Sequence, residues 1–522
     1  MKMQPMKSQP MKSQPMKSPP MKSQPMKSQP TSALPTQFPK TLSMPSIALR
    51  ASLLTCAICL VPSSCTVGPE FKAPESSANP AWSSLDGTSS APSKPIATSA
   101  DIARWWTAFN DPMLTSLVER ATAGNLEISA AEARMRAARA RRAITGGAQL
   151  PSVEAHGLAG KQPDFNSTSS PFIDNDTLFA AGFDASWEID IFGRTRRAVE
   201  ASDADVAIAE FDLRDVQVSL AGEVATNYLR LRAAQEQIGI ISRNIETEAA
   251  AYEVAEKLHA SQLVTSLDVS RARALLEETR SRKPIFESSA RDAAYTLGVL
   301  LGGDPSSLLA ELAPIGQIPA VPAEIPVGLP SELLQRRPDI RRAEAALHAA
   351  TARIGVAVAE QFPRLSLGAA IGTRNSDSGD FAGLATNYWS AGGAVTAPIF
   401  EGGRIKANIE LQKSLTDSAL AEYRQVVLLA LREVEVAITD FTQEQARRAA
   451  LDRAVVAGTE AVALANALYA VGRTNFIDVL AAQRDLLDNE EALARSEQLV
   501  GTNLVALYKS LGGGWSIASA GE

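Results

Sequence analysis

Apolar and polar positions alternate strictly in one stretch of the chain. Phe179, Ala181, Phe183, Ala185, Trp187, Ile189 and Ile191 alternate with Ala180, Gly182, Asp184, Ser186, Glu188 and Asp190. A period of two predicts a strand with one wholly apolar face and one face carrying acids. The pattern returns at Leu365, Leu367, Ala369 and Ile371, again at Trp389, Ala391, Val395, Ala397 and Ile399, and more weakly over 150–160. Elsewhere the period lengthens to that of a helix. From Arg194 to His259 there is no proline, and Leu213, Val216, Leu220, Val224, Tyr228 and Leu231 recur at three- and four-residue spacing. That spacing predicts a coiled-coil helix of roughly 66 residues, a rod of about 100 Å. A second rod is expected from Arg404 to Val471. Each rod is followed by a short turn, Ala260–Thr265 or Gly472–Asn475, and a returning helix to Leu301 or Leu511. Pro284 should kink the first returning helix. Helices over Pro112–Thr145 and Ser331–Glu360 are expected to precede the strands.

These elements come in two copies. Ala131-Glu-Ala133 and Leu150-Pro151 match Ala343-Glu-Ala345 and Phe362-Pro363 at an offset of 212. Leu267-Asp-Val269 matches Ile477-Asp-Val479, and Leu301-Gly-Gly303 matches Leu511-Gly-Gly513, both at 210. A drift of two residues over that length describes a nearly gap-free duplication, so each copy should fold as helix, two strands and a long helical hairpin.

Strands of about ten residues with one apolar and one polar face suit a transmembrane β-barrel whose wet face lines a lumen. They also suit a half-buried strand of a soluble sheet. Number favours the barrel reading: four strands cannot enclose water, whereas three chains contributing four each can. The fold class expected is mainly α with a small β part, long coiled-coil hairpins forming a tunnel and a barrel of twelve strands completed by trimerisation.

Composition adds the compartment. The first thirty residues are six pentapeptides of the type Met-Lys-Ser-Gln-Pro, which have nothing to bury. Met44 is the expected start, and Arg50 followed by the apolar run from Ala51 to Val61 reads as a secretory signal, too short to span a bilayer. The three cysteines, Cys56, Cys59 and Cys65, fall within ten residues there, and His156, His259 and His348 are scattered, which argues against a disulfide framework or a metal site in the body. Small residues precede Cys65 in Val61-Pro-Ser-Ser-Cys65, as in a bacterial lipobox, although Pro62 departs from the usual pattern. Cys65 is the candidate lipidation site. A chain beginning there has 43 basic against 58 acidic residues, a net charge of −15, which disfavours a nucleic-acid partner. The divisions expected are 1–43 low complexity, 44–64 signal peptide, 65–100 linker, 101–328 first repeat, 329–514 second repeat and 515–522 tail.

Several motifs carry a family resemblance. Cys65-Thr-Val-Gly-Pro-Glu-Phe, Trp187-Glu-Ile-Asp-Ile-Phe-Gly-Arg194, Arg337-Pro-Asp-Ile-Arg341, Pro398-Ile-Phe-Glu-Gly-Gly-Arg404, Tyr469-Ala-Val-Gly472 with Ile477-Asp-Val-Leu480, and Tyr508-Lys-Ser-Leu-Gly-Gly513 occur in order over about 65–515. They resemble the TolC/OprM-type outer-membrane factors of tripartite efflux pumps, in the NodT-like lipoprotein subgroup. The resemblance implies a homotrimer in the outer membrane, lipid-anchored and spanning it as a barrel, with a periplasmic helical tunnel. It further implies passive export of drugs or other solutes, delivered by an inner-membrane transporter of RND or similar type through a periplasmic adaptor.

Candidate site residues then follow. Acids recur near the hairpin tips: Asp268, Glu277 and Glu278 in copy one, Asp478 and Asp488 in copy two, of which Asp268, Glu278, Asp478 and Asp488 are the candidates for a gate. In a trimer each becomes a ring of three carboxylates that favours cations, and by resemblance Asp478 and Glu278 match the periplasmic gate. The alternative for each is a solvated helix face. Tyr469, Gly472 and Arg473 match the tip where adaptors dock, while the first tip departs with Ser261 where the family tends to have glycine. No serine has a nucleophile-elbow setting, and Gly302-Gly303 and Gly512–Gly514 follow helices as C-terminal caps, so neither catalytic residues nor cofactors are expected. A type I protein-secretion exit duct shares this architecture, and a lipid-anchored periplasmic coiled-coil scaffold is the rival of a different class. The lipid-facing strands count against the scaffold.

Overall fold

The structure is a computed structural model that describes residues 66–75, 81–85, 94–96, 102–163, 175–375 and 387–516. Cys65, the signal segment, the pentapeptide repeats and the last six residues lie outside the described residues. Each copy holds a rod of 67 residues and a return helix of 35. In copy one these are α3 (Arg194–Ala260) and α4 (Ser266–Leu300), preceded by α1 (Pro112–Gly124), α2 (Leu126–Gly147), β2 (Ser152–Pro163) and β3 (Asn175–Ile189). A short α5 (Leu309–Leu312) leads to copy two, with α6 (Pro330–Arg336), α7 (Pro338–Ala359), β5 (Arg364–Asn375), β6 (Asn387–Thr396), α8 (Arg404–Ala470) and α9 (Phe476–Ser510). Two three-residue strands, β1 (Lys94–Ile96) and β4 (Glu324–Pro326), pair in parallel.

The helix expected over 112–145 is two helices. Asn125 is extended and caps α2, its Oδ1 accepting from the amides of Glu127 at 2.8 Å and Ile128 at 3.2 Å. The counterpart over 331–360 also breaks, at Arg337-Pro338, because a proline at the first helical position has no N–H and keeps the preceding residue extended. Both breaks are tied to the end of the same copy's return helix. Asn125 Nδ2 donates to the Leu300 carbonyl at 2.8 Å, and Arg337 Nη1 donates to the Ser510 carbonyl at 2.9 Å. Different side chains thus make the same link at equivalent positions. α4 continues unbroken through Pro284, held by buried Leu275, Leu276 and Thr279 before it and Ala293, Ala294 and Leu297 after it.

The main core surrounds the middle of the rods. Leu213, Leu220, Val224, Tyr228 and Leu231 of α3 are buried there with Leu114 and Leu117 of α1, Phe441 of α8 and Leu504 of α9. Trp105 closes it by stacking on Tyr508 with ring centroids 5.3 Å apart. Burial of a large apolar side chain is worth about 1.5–3 kcal/mol, so this belt anchors rods whose ends are thinner.

The sheet order is β2-β3-β5-β6, antiparallel throughout. The alternation legible in sequence is its two faces. Phe183, Trp187, Leu367, Ile371, Trp389 and Val395 share one face, and Trp389 and Ile371 are 78% and 61% exposed in the chain. Ser186, Asp184, Glu188, Ser366 and Ser390 share the other. Among the described residues, β2 and β6 each pair along one side only, leaving an edge on both flanks.

Candidate functional site

The two hairpin tips are built alike. In each, the rod ends in a turn whose amide reaches back five residues: Leu263 N to the Leu258 carbonyl and Arg473 N to the Leu468 carbonyl, both 2.9 Å. The turn needs one residue in the left-handed region. At the second tip it is Gly472, at φ 70°, where glycine has no side-chain penalty. At the first it is Gln262, at φ 60°. The glycine departure expected at Ser261 therefore sits one residue later. Each return helix then opens with a capping box, Thr265 with Asp268 and Asn475 with Asp478. Asp268 accepts from Thr265 Oγ1 at 2.7 Å, and Asp478 accepts from Thr474 Oγ1 and from the Asn475 amide at 3.3 Å. Arg271 lies 4.0 Å from Asp268.

The tips touch one another through apolar packing. Ala255, Ala272, Leu275, Phe476, Val479 and Leu480 form one buried cluster, with Tyr252, Val269 and Tyr469 against it. Tyr469 lies on Phe476 with centroids 5.2 Å apart. Burial raises the Tyr469 phenol above its ordinary value, and the nearby Asp268 carboxylate adds to the shift.

Glu278 and Asp488 lie higher and are brought together by one guanidinium that the sequence did not single out. Arg282 of α4 donates to Glu278 at 3.3 Å and, across to α9, to Asp488 at 2.9 Å and Glu491 at 3.2 Å. Arg484 of α9 returns the link by pairing with Glu278. Burial alone would lower the Arg282 value, yet Asp488, Glu491 and Glu278 outweigh it and raise it. Of the four acids expected at the gate, two therefore cap helix starts and two join the hairpins through Arg282.

Glu248, also unanticipated, sits beside this link. It is 3% exposed, its Oε1 accepts from Thr279 Oγ1 at 3.1 Å, and its Oε2 has no hydrogen-bond partner among the described residues. Burial pushes its carboxyl up to about 7, against the opposing pull of Thr279, Arg282 and Arg484. A lone acid in a helical run reads as solvated. Its tertiary partner is 31 residues away, which hides it from local pattern.

At the opposite end, the polar face of the sheet carries a row His156–Gly182–Gly372–Tyr388 across all four strands. A Cβ at Gly182 would meet His156 Cε1 at 3.1 Å, and one at Gly372 would meet the Tyr388 ring at 2.9 Å. The two glycines let the His156 and Tyr388 side chains cross the sheet and meet at 3.3 Å, with Asp184 2.9 Å from His156 Nδ1. Where the sheet meets the helices, Thr66 lies against Gly193 and the Val67 amide donates to Phe192 at 3.1 Å.

Paired rods ending in a sheet with an exposed apolar face define a channel-forming protein of the outer membrane. Among the described residues no helix is long and apolar enough to cross a membrane. Comparison with known proteins agrees. The outer membrane efflux protein family profile matches residues 117–303 and 329–513. Nodulation protein T of Rhizobium leguminosarum bv. trifolii is 30% identical over 470 residues, covering 88% of this chain and 97% of that one. The pyoverdine export outer membrane protein OpmQ of Pseudomonas aeruginosa is 32% identical over 427 residues, covering 80% and 88%. Among solved structures, the outer-membrane channel OprN superposes with a TM-score of 0.81 at 36% identity, over 86% of this chain and all of that one. The chain belongs to the outer membrane efflux protein family, and it is an outer-membrane protein with helical-tunnel and β-barrel parts.

Proposed function

We propose that three copies of this chain form the exit duct of a tripartite efflux pump, a passive channel that an inner-membrane transporter feeds through a periplasmic adaptor. One observation carries the reading: the four-stranded sheet has an apolar face, a polar face and two open edges. Lipid leaves no backbone group unpaired, so the edges must meet other strands, and twelve strands enclose a wet lumen. The rods, about 100 Å long, then make a periplasmic tunnel narrowing at the tips. Asp268, Asp478, Glu278 and Asp488 supply the negative rings of its gate, and Tyr469, Gly472, Arg473 and Ser261 present the surface for the adaptor. Cys65 carries the acyl anchor. In support, Thr66, the residue after Cys65, lies against Gly193 at the start of α3, where the helices meet the sheet. The test is the mass of the detergent-extracted protein, expected near three chains. A folded monomer that keeps its strands would refute the trimer.

A further inference from the structure

Above the tips the two hairpins meet at a level where a hydrogen-bond donor is missing. α3 descends along α9, and two bonds set their register: Gln237 Nε2 donates to the Glu491 carbonyl at 2.8 Å, and Asn244 Nδ2 donates to the Glu490 carboxylate at 2.9 Å. Carried one turn further down, that antiparallel register brings Glu248 of α3 level with Gln483 of α9. Both are buried, at 3% and 6% exposure, and each leaves one oxygen, Glu248 Oε2 and Gln483 Oε1, without a hydrogen-bond partner among the described residues. Both atoms are acceptors, and a buried acceptor left unmatched is costly. Thr279 is buried at the same level and brings a donor, but that donor is spent on Glu248 Oε1.

One hydrogen atom resolves both. On Glu248 Oε2 it turns that oxygen into a donor, and Gln483 Oε1 is the acceptor at its level. Charge points the same way. The ionic groups facing Glu248 are Arg282 and Glu278 from α4 and Arg484 from α9. Arg282 also holds Asp488 and Glu491, so the node has three carboxylates for two guanidiniums before Glu248 is counted. An ionised Glu248 would add a fourth carboxylate, and a buried one. Its carboxyl value of about 7 puts release of the proton in the neutral range.

We infer that Glu248 carries a proton on Oε2 and donates it to Gln483 Oε1, so that a proton fastens the first hairpin to the second above the gate. Release of that proton to solvent base removes the bond between α3 and α9 and adds a negative charge to the node, which loosens the contact. The counterpart of Glu248 in the second hairpin is Gly458, so the latch belongs to the first hairpin alone. In the duct proposed above, three such latches hold the tips together in acid and let them part as pH rises through neutrality. The opening rests on that duct reading, whereas the proton does not.

Two measurements on the full chain in detergent or in planar bilayers, at about pH 5.5 and about pH 8.5, test it. The infrared difference spectrum between the two should show a protonated carboxyl band that is absent from Glu248→Gln. Gln483→Met removes the acceptor and should move that band to higher frequency. In bilayers the open probability of the parent should rise severalfold from the lower pH to the higher. Glu248→Gln keeps a donor toward Gln483 without a titrating group, and it should stay at the parent's acid level at both. A carboxyl band that Glu248→Gln leaves in place shows that Glu248 is ionised throughout and overturns the proton. A band that Gln483→Met does not move overturns the pairing with Gln483. A rise in opening that persists in Glu248→Gln belongs to another group, such as His259 at the first tip, and overturns the latch. Replacing sodium by choline should change neither readout, and a response that follows sodium gives the two oxygens to a cation instead and overturns the proton. The expected carboxyl band in protein that conducts at neither pH leaves the proton standing and removes the duct.

Discussion

At the second tip a glycine takes the left-handed turn and Tyr469 lies on Phe476, whereas at the first Gln262 takes the same turn and His259 Nδ1 sits 3.1 Å from the Val264 carbonyl. Further up, Glu248 in the first hairpin corresponds to Gly458 in the second, where a Cβ would already meet Leu486 at 3.2 Å. The hairpins nonetheless keep identical lengths, identical backbone turns and equivalent capping boxes. Length is shared because both hairpins must end at one level. Side chains have diverged because the tip backbone is satisfied by its own turns and caps, leaving the surface free for different contacts. The first hairpin thus holds a buried carboxyl where the second has a glycine.

The largest expected effect breaks the comparison at Glu248. With its folded value near 7 against an ordinary 4.5, the folded hairpin holds a proton that the unfolded one releases between those values. The contribution of Glu248 to the stability of the first hairpin should therefore be fully present below about pH 4.5 and fall by about 3 kcal/mol as pH rises to about 7. Glu248→Gln should flatten that profile, and the second hairpin should show no such slope. Amide hydrogen exchange in α3 and α4 against α8 and α9 reads both. A wild-type profile flat across this range contradicts the burial argument.

A smaller effect is expected at Arg282. Its loss leaves Asp488 and Glu491 without their cation and should cost about 2 kcal/mol, less than a fully buried pair because the side chain is partly exposed. Arg282→Ala should speed exchange in both α4 and α9. Unchanged exchange in α9 would show that the guanidinium does not join the hairpins. Smallest is the turn residue. Gly472→Gln should destabilise the second tip by about 1 kcal/mol, and Gln262→Gly should stabilise the first by a similar amount. Equal signs for the two substitutions would mean the tips do not share a turn.

Much of this was legible from one sequence because the periods are extreme. Strict alternation over 179–191 marks β3, and the proline-free run from Arg194 fixes α3 to within a residue. The break at Asn125 was hidden because buried positions continue at helical spacing on both sides, from Leu117 and Ala121 to Ile128 and Ala131, whereas the break at Arg337 was legible in Pro338 and was passed over. The first tip was misjudged by one residue because a left-handed glutamine has no compositional signature. Arg282 was missed for a different reason: its α9 partners lie 206 and 209 residues away, and only the packing of one hairpin on the other brings them together.

The most direct test of the duct is single-channel recording in planar bilayers. Asp268 and Asp478 both cap helices, and asparagine keeps an acceptor for the cap while removing the charge. The account predicts stepwise conductance with cation preference, weakened by Asp478→Asn and Asp268→Asn and unchanged by Asp440→Asn, an acid far from the tips. Trimeric protein that inserts but conducts nothing, or whose selectivity is the same in all three variants as in the parent, would contradict it.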